Sequence, residues 1–460
     1  MIRVFNHWLR WRSVVQMLFD FSFVMVGIVI AMMWIDNDLP VDHKQVLLFA
    51  ALLAAAMLVI NSWLGFYQRL SQRTPMDTRA RAVLSLYLAV PVAYGIYALL
   101  PLTGVSQEFL QLSAMSAVFG MLVTRVTTTH PAAASLLSRR IMVFGSGPQA
   151  LAVKRALNKS DPTAEIVGFY PAPNEEVASV PGNLVLSRER SLTDSALAHK
   201  ADEIVVALSE RRGGAMPLRE LLDCKLQGIR VLDLASHFEQ TLGQIRLESL
   251  YAGWLIFGDG FRQGTLRTVV KRLFDIVCAS ILIILALPMM AIAALAIVIE
   301  NGFPILYRQE RVGLNGRLFN VIKFRSMRRD AEKDGKPIWA TKQDDRVTRV
   351  GRIIRKLRID ELPQLFSVLK GDMSLVGPRP ERPFFVDQLT KEIPFYAVRH
   401  SVKPGVTGWA QVRYHYGSTV EDSAEKLQYD MYYVKNHSLF LDILVLFETV
   451  GVVLTGKGAQ

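Results

Sequence analysis

Lys271-Arg272-Leu273-Phe274-Asp275 opens an apolar run, Ile276–Ile299, that is interrupted by Pro288 and followed by Arg308 and Arg311. The run is long enough to cross a bilayer, which takes about 20 residues. A crossing would carry everything beyond Glu300 to the far side. Two features predict otherwise. Basic residues flank both ends, which favours one and the same face for both. A proline in mid-run bends a helix, because it removes a hydrogen bond and clashes with the preceding turn. The stretch 271–300 therefore reads as a re-entrant hairpin that dips into one leaflet and returns.

Upstream lie four more apolar segments, Val14–Ile35, Val46–Phe66, Ala82–Leu102 and Phe109–Val126. They are apolar at nearly every position rather than on one face, so buried core helices are the weaker reading. Arg3, Arg10 and Arg12 precede the first segment; Arg69, Arg73, Arg79 and Arg81 follow the second; Arg139 and Arg140 follow the fourth. The intervening loops carry Asp36, Asp38 and Asp42, and then Glu108. This alternation predicts a cytoplasmic N-terminus and a cytoplasmic remainder after the fourth segment. The first segment is long and has no small-residue cleavage site after it, unlike a removable signal peptide.

Composition agrees. The chain has 460 residues, 51% of them hydrophobic, and a mean hydropathy of +0.25, too apolar for an ordinary soluble enzyme of this size. Net charge is +12. Beside apolar spans, that excess points to anionic lipid or phosphorylated substrates rather than nucleic acid. Cys224 and Cys278 show no metal spacing and no disulfide framework.

Arg140-Ile-Met-Val-Phe-Gly145-Ser-Gly147-Pro-Gln-Ala150 reads as strand, glycine turn and helix start. Glu165–Tyr170, Ala201–Leu208 and Gly228–Asp233 read as further parallel strands. The third fingerprint position is Ala150, and the second strand ends in Tyr170-Pro171 rather than an acid for a ribose hydroxyl. Residues 138–250 thus form a Rossmann-like α/β module, structural or regulatory, with a nucleotide ligand as the alternative.

The chemistry concentrates in Arg355-Lys-Leu-Arg358-Ile-Asp360-Glu361-Leu-Pro363-Gln364, running on to Val376-Gly377-Pro378-Arg379-Pro380. Pro363 suits a first helical turn and Gly371 a helix end. Asp360 and Glu361 then lie just before a helix N-terminus, where negative charge is favoured. Taken alone, they suit capping acids paired with Arg355 or Arg358. Lys323-Phe324-Arg325-Ser326-Met327 alternates cations with apolar residues, as a strand presenting charge on one face would.

These motifs together closely resemble the bacterial sugar transferase family, the monotopic polyprenol-phosphate phosphoglycosyl transferases, from about Leu266 onward. Where the family's hairpin break is usually Ser-Pro, this chain has Leu287-Pro288. The resemblance implies transfer of a hexose 1-phosphate from a UDP-hexose, glucose first and galactose next, to undecaprenyl phosphate, with UMP released. It implies Asp360 as nucleophile, Glu361 as Mg2+ ligand, and Lys323, Arg325, Arg355 and Arg379 on phosphates. Asp430 resembles a further active-site acid, and Lys403–Gln411 a stretch lining the site. Tyr416–Asp430 resembles the exopolysaccharide- and exosortase-associated subgroup.

The expected architecture is a four-helix transmembrane domain (1–130), the Rossmann-like module (138–250) and a mainly α catalytic domain (266–460) on the cytoplasmic face of the bacterial inner membrane. Inner-membrane lipid is a partner, and a homodimer through the spans or the α/β module is an expectation. Two rivals remain. A membrane-anchored nucleotide-sugar dehydratase would carry Tyr-x-x-x-Lys, which occurs nowhere here. A non-catalytic scaffold of polysaccharide assembly would use its acids structurally.

Overall fold

The apolar N-terminal sequence folds into long helices: α1 (Trp11–Trp34), α2 (His43–Trp63) and α3 (Pro75–Leu99), the last with Pro91 inside it. Two short paired strands, β1 (Ile2–Val4) and β2 (His7–Leu9), precede them. The structure, a computed structural model, describes residues 2–4, 7–9, 11–34, 43–64, 66–67, 75–100, scattered positions between 108 and 123, 138–160, 164–173, 175, 179–208, 216–247, 250, 260–261, 264–328, 346–414 and 419–455. Three described helical stretches are long and apolar enough to cross a membrane: Ser13–Met33, His43–Ser62 and Thr265–Asn301. Val83–Leu99 is a shorter apolar helix, and half of the expected span Phe109–Val126 falls outside the described residues. Val24, Ile28, Phe49, Leu53, Met57, Ala89 and Ala93 pack the helices together. Two buried polar pairs lie among them: the Tyr67 hydroxyl donates to Asp20 at 2.6 Å and Ser85 to Asn61 at 2.8 Å.

The α/β module is a four-stranded parallel sheet in the order β4-β3-β5-β6. Its strands are β3 (Arg139–Phe144), β4 (Ala164–Tyr170), β5 (Glu203–Val206) and β6 (Arg230–Asp233). Helices α4 (Pro148–Ser160), α5 (Leu192–Ala198), α6 (Leu218–Leu226) and α7 (Leu234–Leu242) cover it. Successive strand residues face opposite sides. Ile141 and Val143 join a core with Val153, Leu157 and Phe238, while Met142 and Phe144 join one with Leu192 and Leu221. Both faces are covered, which is why β3 is a continuous apolar run rather than an alternating one. In the glycine turn, Gly145 takes φ +117°. The Ser146 amide and hydroxyl both donate to the Glu175 carboxylate. An internal anion therefore already holds the donors that a phosphate would use.

The chain resolves into two compact units, Met1–Ile2 with Trp8–Leu242, and Arg3–His7 with Gly243–Gln460. The first long helix of the second unit is α8 (Thr265–Asn301), followed by the hairpin β7 (Leu306–Val312) and β8 (Leu318–Phe324). Then come α9 (Arg349–Lys356), α10 (Gln364–Lys370), β9 (Ser374–Val376), α11 (Pro383–Glu392), β10 (Gly405–Thr407), α12 (Trp409–Arg413), α13 (Val420–Asn436) and α14 (Leu439–Thr455). Its core joins Met373, Leu375 and Val376 to Leu427, Met431, Tyr432, Tyr433 and Leu441. Strands β9 and β10 run parallel, and backbone meets backbone beside them: a Cβ on Gly405 would lie 2.1 Å from the Gly377 nitrogen.

Helix α8 keeps its helical backbone through Pro288. A proline inside a helix can kink it without ending it. Both halves of α8 touch the same unit. Ala279 and Ile283 enter the main core, whereas Ala293 and Ile297 pack with Phe324, Ile354 and Ile359. Between them, Ile284, Leu285, Leu287 and Ile292 are exposed. Apolar α14 is not among the membrane-length helices. Its acids are paired inside the unit, Asp442 with Lys271 at 2.8 Å and Glu448 with Arg413 at 2.6 Å.

Candidate active site

Thr348 caps α9 by accepting from the Gly351 amide at 2.9 Å. The helix ends where Arg358 turns left-handed, at φ +58°. That reversal folds Ile359–Glu361 into a single 3-10 turn ahead of α10. Pro363 stands at the start of α10, and Gly371, at φ +101°, at its end. The Arg272 guanidinium of α8 donates to the Val368 and Leu369 carbonyls, both at 2.6 Å, satisfying the last turn of α10.

The 3-10 turn buries two adjacent carboxylates, Asp360 and Glu361, each 8% exposed. Their surroundings differ. Glu361 Oε1 accepts from Lys323 Nζ at 3.0 Å and from Arg379 at 2.8 Å. Its Oε2 lies 3.5 Å from Arg358. Burial alone would push the Glu361 carboxyl up, but Arg379, Lys323 and Arg358 outweigh it and hold it well below the ordinary range. Asp360 has no such clasp: its buried Oδ1 meets no hydrogen-bond donor among the described residues. Burial, and then the neighbouring Glu361 charge, push it up to about 6 against the pull of Lys323, Arg355 and Arg379. One acid of the pair is locked in ion pairs; the other is ringed by cations with an oxygen unspent.

Of the residues singled out in the sequence, Lys323, Arg355 and Arg379 come together around the carboxylates. Two others have partners elsewhere in the unit. Arg325 donates to the Asn301 carbonyl at 3.1 Å and to that of Gly302, closing the C-terminus of α8. Asp430 is 2% exposed and lies 2.8 Å from Arg399. Burial pushes its carboxyl up to about 6, against the pull of Arg399. Arg399 in turn donates to the Arg379 carbonyl at 3.0 Å and to the Tyr396 hydroxyl at 2.6 Å. Asp430 thus reaches the carboxylates through the backbone of Arg379. Pro288 lies in the middle of α8. Arg399 and the left-handed turn at Arg358 had no signal of their own in the sequence. Gln411, whose Oε1 accepts from Arg379 at 3.3 Å, lay within the turn-rich stretch Lys403–Gln411. No group of three or more metal-binding side chains occurs among the described residues.

The family model described as "Bacterial sugar transferase" matches residues 266–456. Three curated relatives carry names from this chemistry. A UDP-N-acetylgalactosamine-undecaprenyl-phosphate N-acetylgalactosaminephosphotransferase of Aeromonas hydrophila is 45% identical over 53% of this chain and 56% of its own length. A UDP-glucose:undecaprenyl-phosphate glucose-1-phosphate transferase of Caulobacter vibrioides is 45% identical over 41% of this chain and 71% of its own. One of the same name from Escherichia coli is 33% identical over 64% of this chain and 63% of its own. The chain spans little more than half of the Aeromonas relative. On the strength of the family match and of the Caulobacter relative, most of which it covers, the chain belongs to the bacterial sugar transferase family.

Proposed function

We propose that the protein transfers hexose 1-phosphate from a UDP-hexose to undecaprenyl phosphate, releasing UMP, as the first membrane step of exopolysaccharide synthesis. The observation that carries this reading is Asp360: a buried carboxylate with an unpartnered oxygen inside a ring of cations. A carboxylate so placed can attack phosphorus. Asp360 Oδ1 attacks the phosphorus that bears the sugar, and the bond from that phosphorus to the UMP oxygen breaks. UMP leaves with the electron pair. The lipid phosphate oxygen then attacks the same phosphorus, the acyl-phosphate bond breaks, and the Asp360 carboxylate is restored. The order is ping-pong.

Lys323, Arg355 and Arg379 neutralise the polyanions as they approach. Mg2+ fits this donor set, because it takes one or two carboxylates and completes its sphere with substrate phosphates and water. Glu361 Oε2, held more loosely than Oε1, would be the oxygen to hold it. When bound, the ion would offset charge on the diphosphate.

The membrane arrangement follows the same reading: a multi-pass inner-membrane protein with its site on the cytoplasmic face and α8 as a re-entrant element. A straight helix would set Arg272 and Ile297 roughly 37 Å apart. Their partners Val368 and Ile359 are joined by short helical turns spanning about 15 Å, which supports a bend near Pro288. Glucose is the leading cargo, and the relatives' names add N-acetylgalactosamine to the panel to be tried.

The test is UMP release by purified protein with undecaprenyl phosphate, Mg2+ and a panel of UDP-sugars, with Asp360→Asn alongside. Release with one sugar, abolished in the variant, is expected. No release with any sugar from folded protein would transfer the weight to a non-catalytic scaffold.

A further inference from the structure

We infer that Gln411 positions Arg379 over the carboxylate pair, and that His7, from the segment that precedes α1 in the chain, positions Gln411. The inference rests on the reaction proposed above for its kinetic consequence, but its geometry stands apart from it. Gln411 lies on the single-turn helix α12, one face of which carries Trp409. Its Oε1 accepts from Arg379, so the cation fixes which end of the amide faces it. The other arm of the same guanidinium holds Glu361. A shift of α12 therefore moves Arg379 relative to Glu361.

Helix α12 has too few turns to hold itself in place. What holds it is Trp409, 2% exposed. The indole N–H donates to the Gly243 carbonyl at 2.8 Å. The ring stacks on Tyr432 at 5.8 Å, and the Arg413 guanidinium lies 4.2 Å from its centroid. His7 completes the packing. It is 5% exposed and meets Trp409 edge-on at 5.5 Å, with its Nδ1 2.8 Å from the Tyr432 hydroxyl. Arg3–His7 groups with the unit that holds Asp360, although Trp8 and α1 belong to the other. A histidine near the start of the chain is thus a buried part of the unit that carries the acids. Its ring adds both aromatic packing and a directed hydrogen bond beneath α12.

The test uses full-length protein in lipid discs: wild type, His7→Ala, His7→Asn, Gln411→Ala and the His7→Ala/Gln411→Ala pair, with melting midpoints measured in parallel. The first two alanine variants should each lower kcat about tenfold, as small displacements of positioning groups do. The double variant should be no slower than Gln411→Ala alone, because the two residues act through one path. His7→Asn keeps a polar atom near Nδ1 and should recover most of the turnover. Wild-type turnover in His7→Ala would overturn the inference. So would additive losses, or a loss that follows a lowered melting midpoint and is not recovered by asparagine. If His7→Ala does not fold, Tyr432→Phe, which deletes only the hydroxyl facing His7, takes its place. If the wild type turns over no UDP-sugar, the proposed reaction has failed, and the Gln411 side-chain amide resonance decides. In protein carrying isotopically labelled glutamine, it should shift on His7→Ala; an unmoved resonance would sink the inference independently of the reaction.

Discussion

Two buried charge clusters lie in the same unit and differ in one respect. In the first, Lys271 of α8 lies 2.8 Å from Asp442 and 3.5 Å from Asp275. Asp275 also accepts from the Leu375 amide at 3.3 Å, and the Tyr433 hydroxyl sits 2.7 Å from Asp442 and 2.8 Å from the Val376 carbonyl. In the second, Lys323, Arg358 and Arg379 satisfy Glu361 and leave Asp360 Oδ1 unpartnered among the described residues. The first cluster fixes α8 to the strand that leads into Arg379. The second keeps one oxygen in reserve at an energetic cost. Burying charge is tolerated where partners are complete, and an incomplete set is where chemistry is to be sought.

The comparison can be broken most severely at Asp360. Asp360→Asn should lower UMP release at least about a thousandfold, as loss of a nucleophile does, while folding is preserved. Because burial raises the Asp360 pKa to about 6, above its unfolded value, its contribution to stability is present at low pH and is lost as pH rises through about 6. The asparagine variant should therefore melt no lower than wild type at pH 7, and a lower midpoint there would count against the electrostatic reading. At Asp442 the effects should separate the other way. Asp442→Leu leaves half-buried Lys271 with only the longer contact to Asp275 and strips the buried Tyr433 hydroxyl of one acceptor, and should cost about 2–3 kcal/mol of stability, read by thermal or denaturant melts, with turnover per folded molecule falling far less.

Two smaller effects sharpen the contrast. The pre-steady-state burst of UMP should slow about tenfold per pH unit below pH 6, since only ionised Asp360 attacks. A burst flat between pH 4.5 and 7 would assign the nucleophile elsewhere. In the α/β module, Glu175→Ala removes the anion at the glycine turn. It should cost about 1 kcal/mol and leave UMP release within about twofold of wild type, as fits a module distant in sequence from the carboxylates.

What was legible followed from local rules. Pro363 and Gly371 marked α10, and the apolar runs around Val143 and Val205 marked strands buried on both faces. The Lys323, Arg355 and Arg379 cluster was legible through motif resemblance. The protein partners of Arg325 and Asp430 were not, because a charged residue in a motif looks the same whether it meets a phosphate, a helix end or a buried arginine. Only the fold brings Arg325 to the carbonyls of α8 and Arg399 to Asp430. Likewise, nothing near His7 in the chain indicates a partner more than four hundred residues away. Pro288 predicted a bend, and whether the helix ended there depended on packing at both of its ends.

The close approach at Gly377, Gly405 and Gly408 sets a rule for genetic repair. A Cβ on Gly408 would lie 2.1 Å from the Gly377 oxygen, backbone against backbone. A defect in a side-chain core can be suppressed by a second substitution that refills or relieves the space. Here, among the described residues, the atoms that would clash are all backbone, so there is no clashing side chain to trim. Suppressor selections started from alanine at any of these three positions should return true revertants to glycine and no second-site compensation.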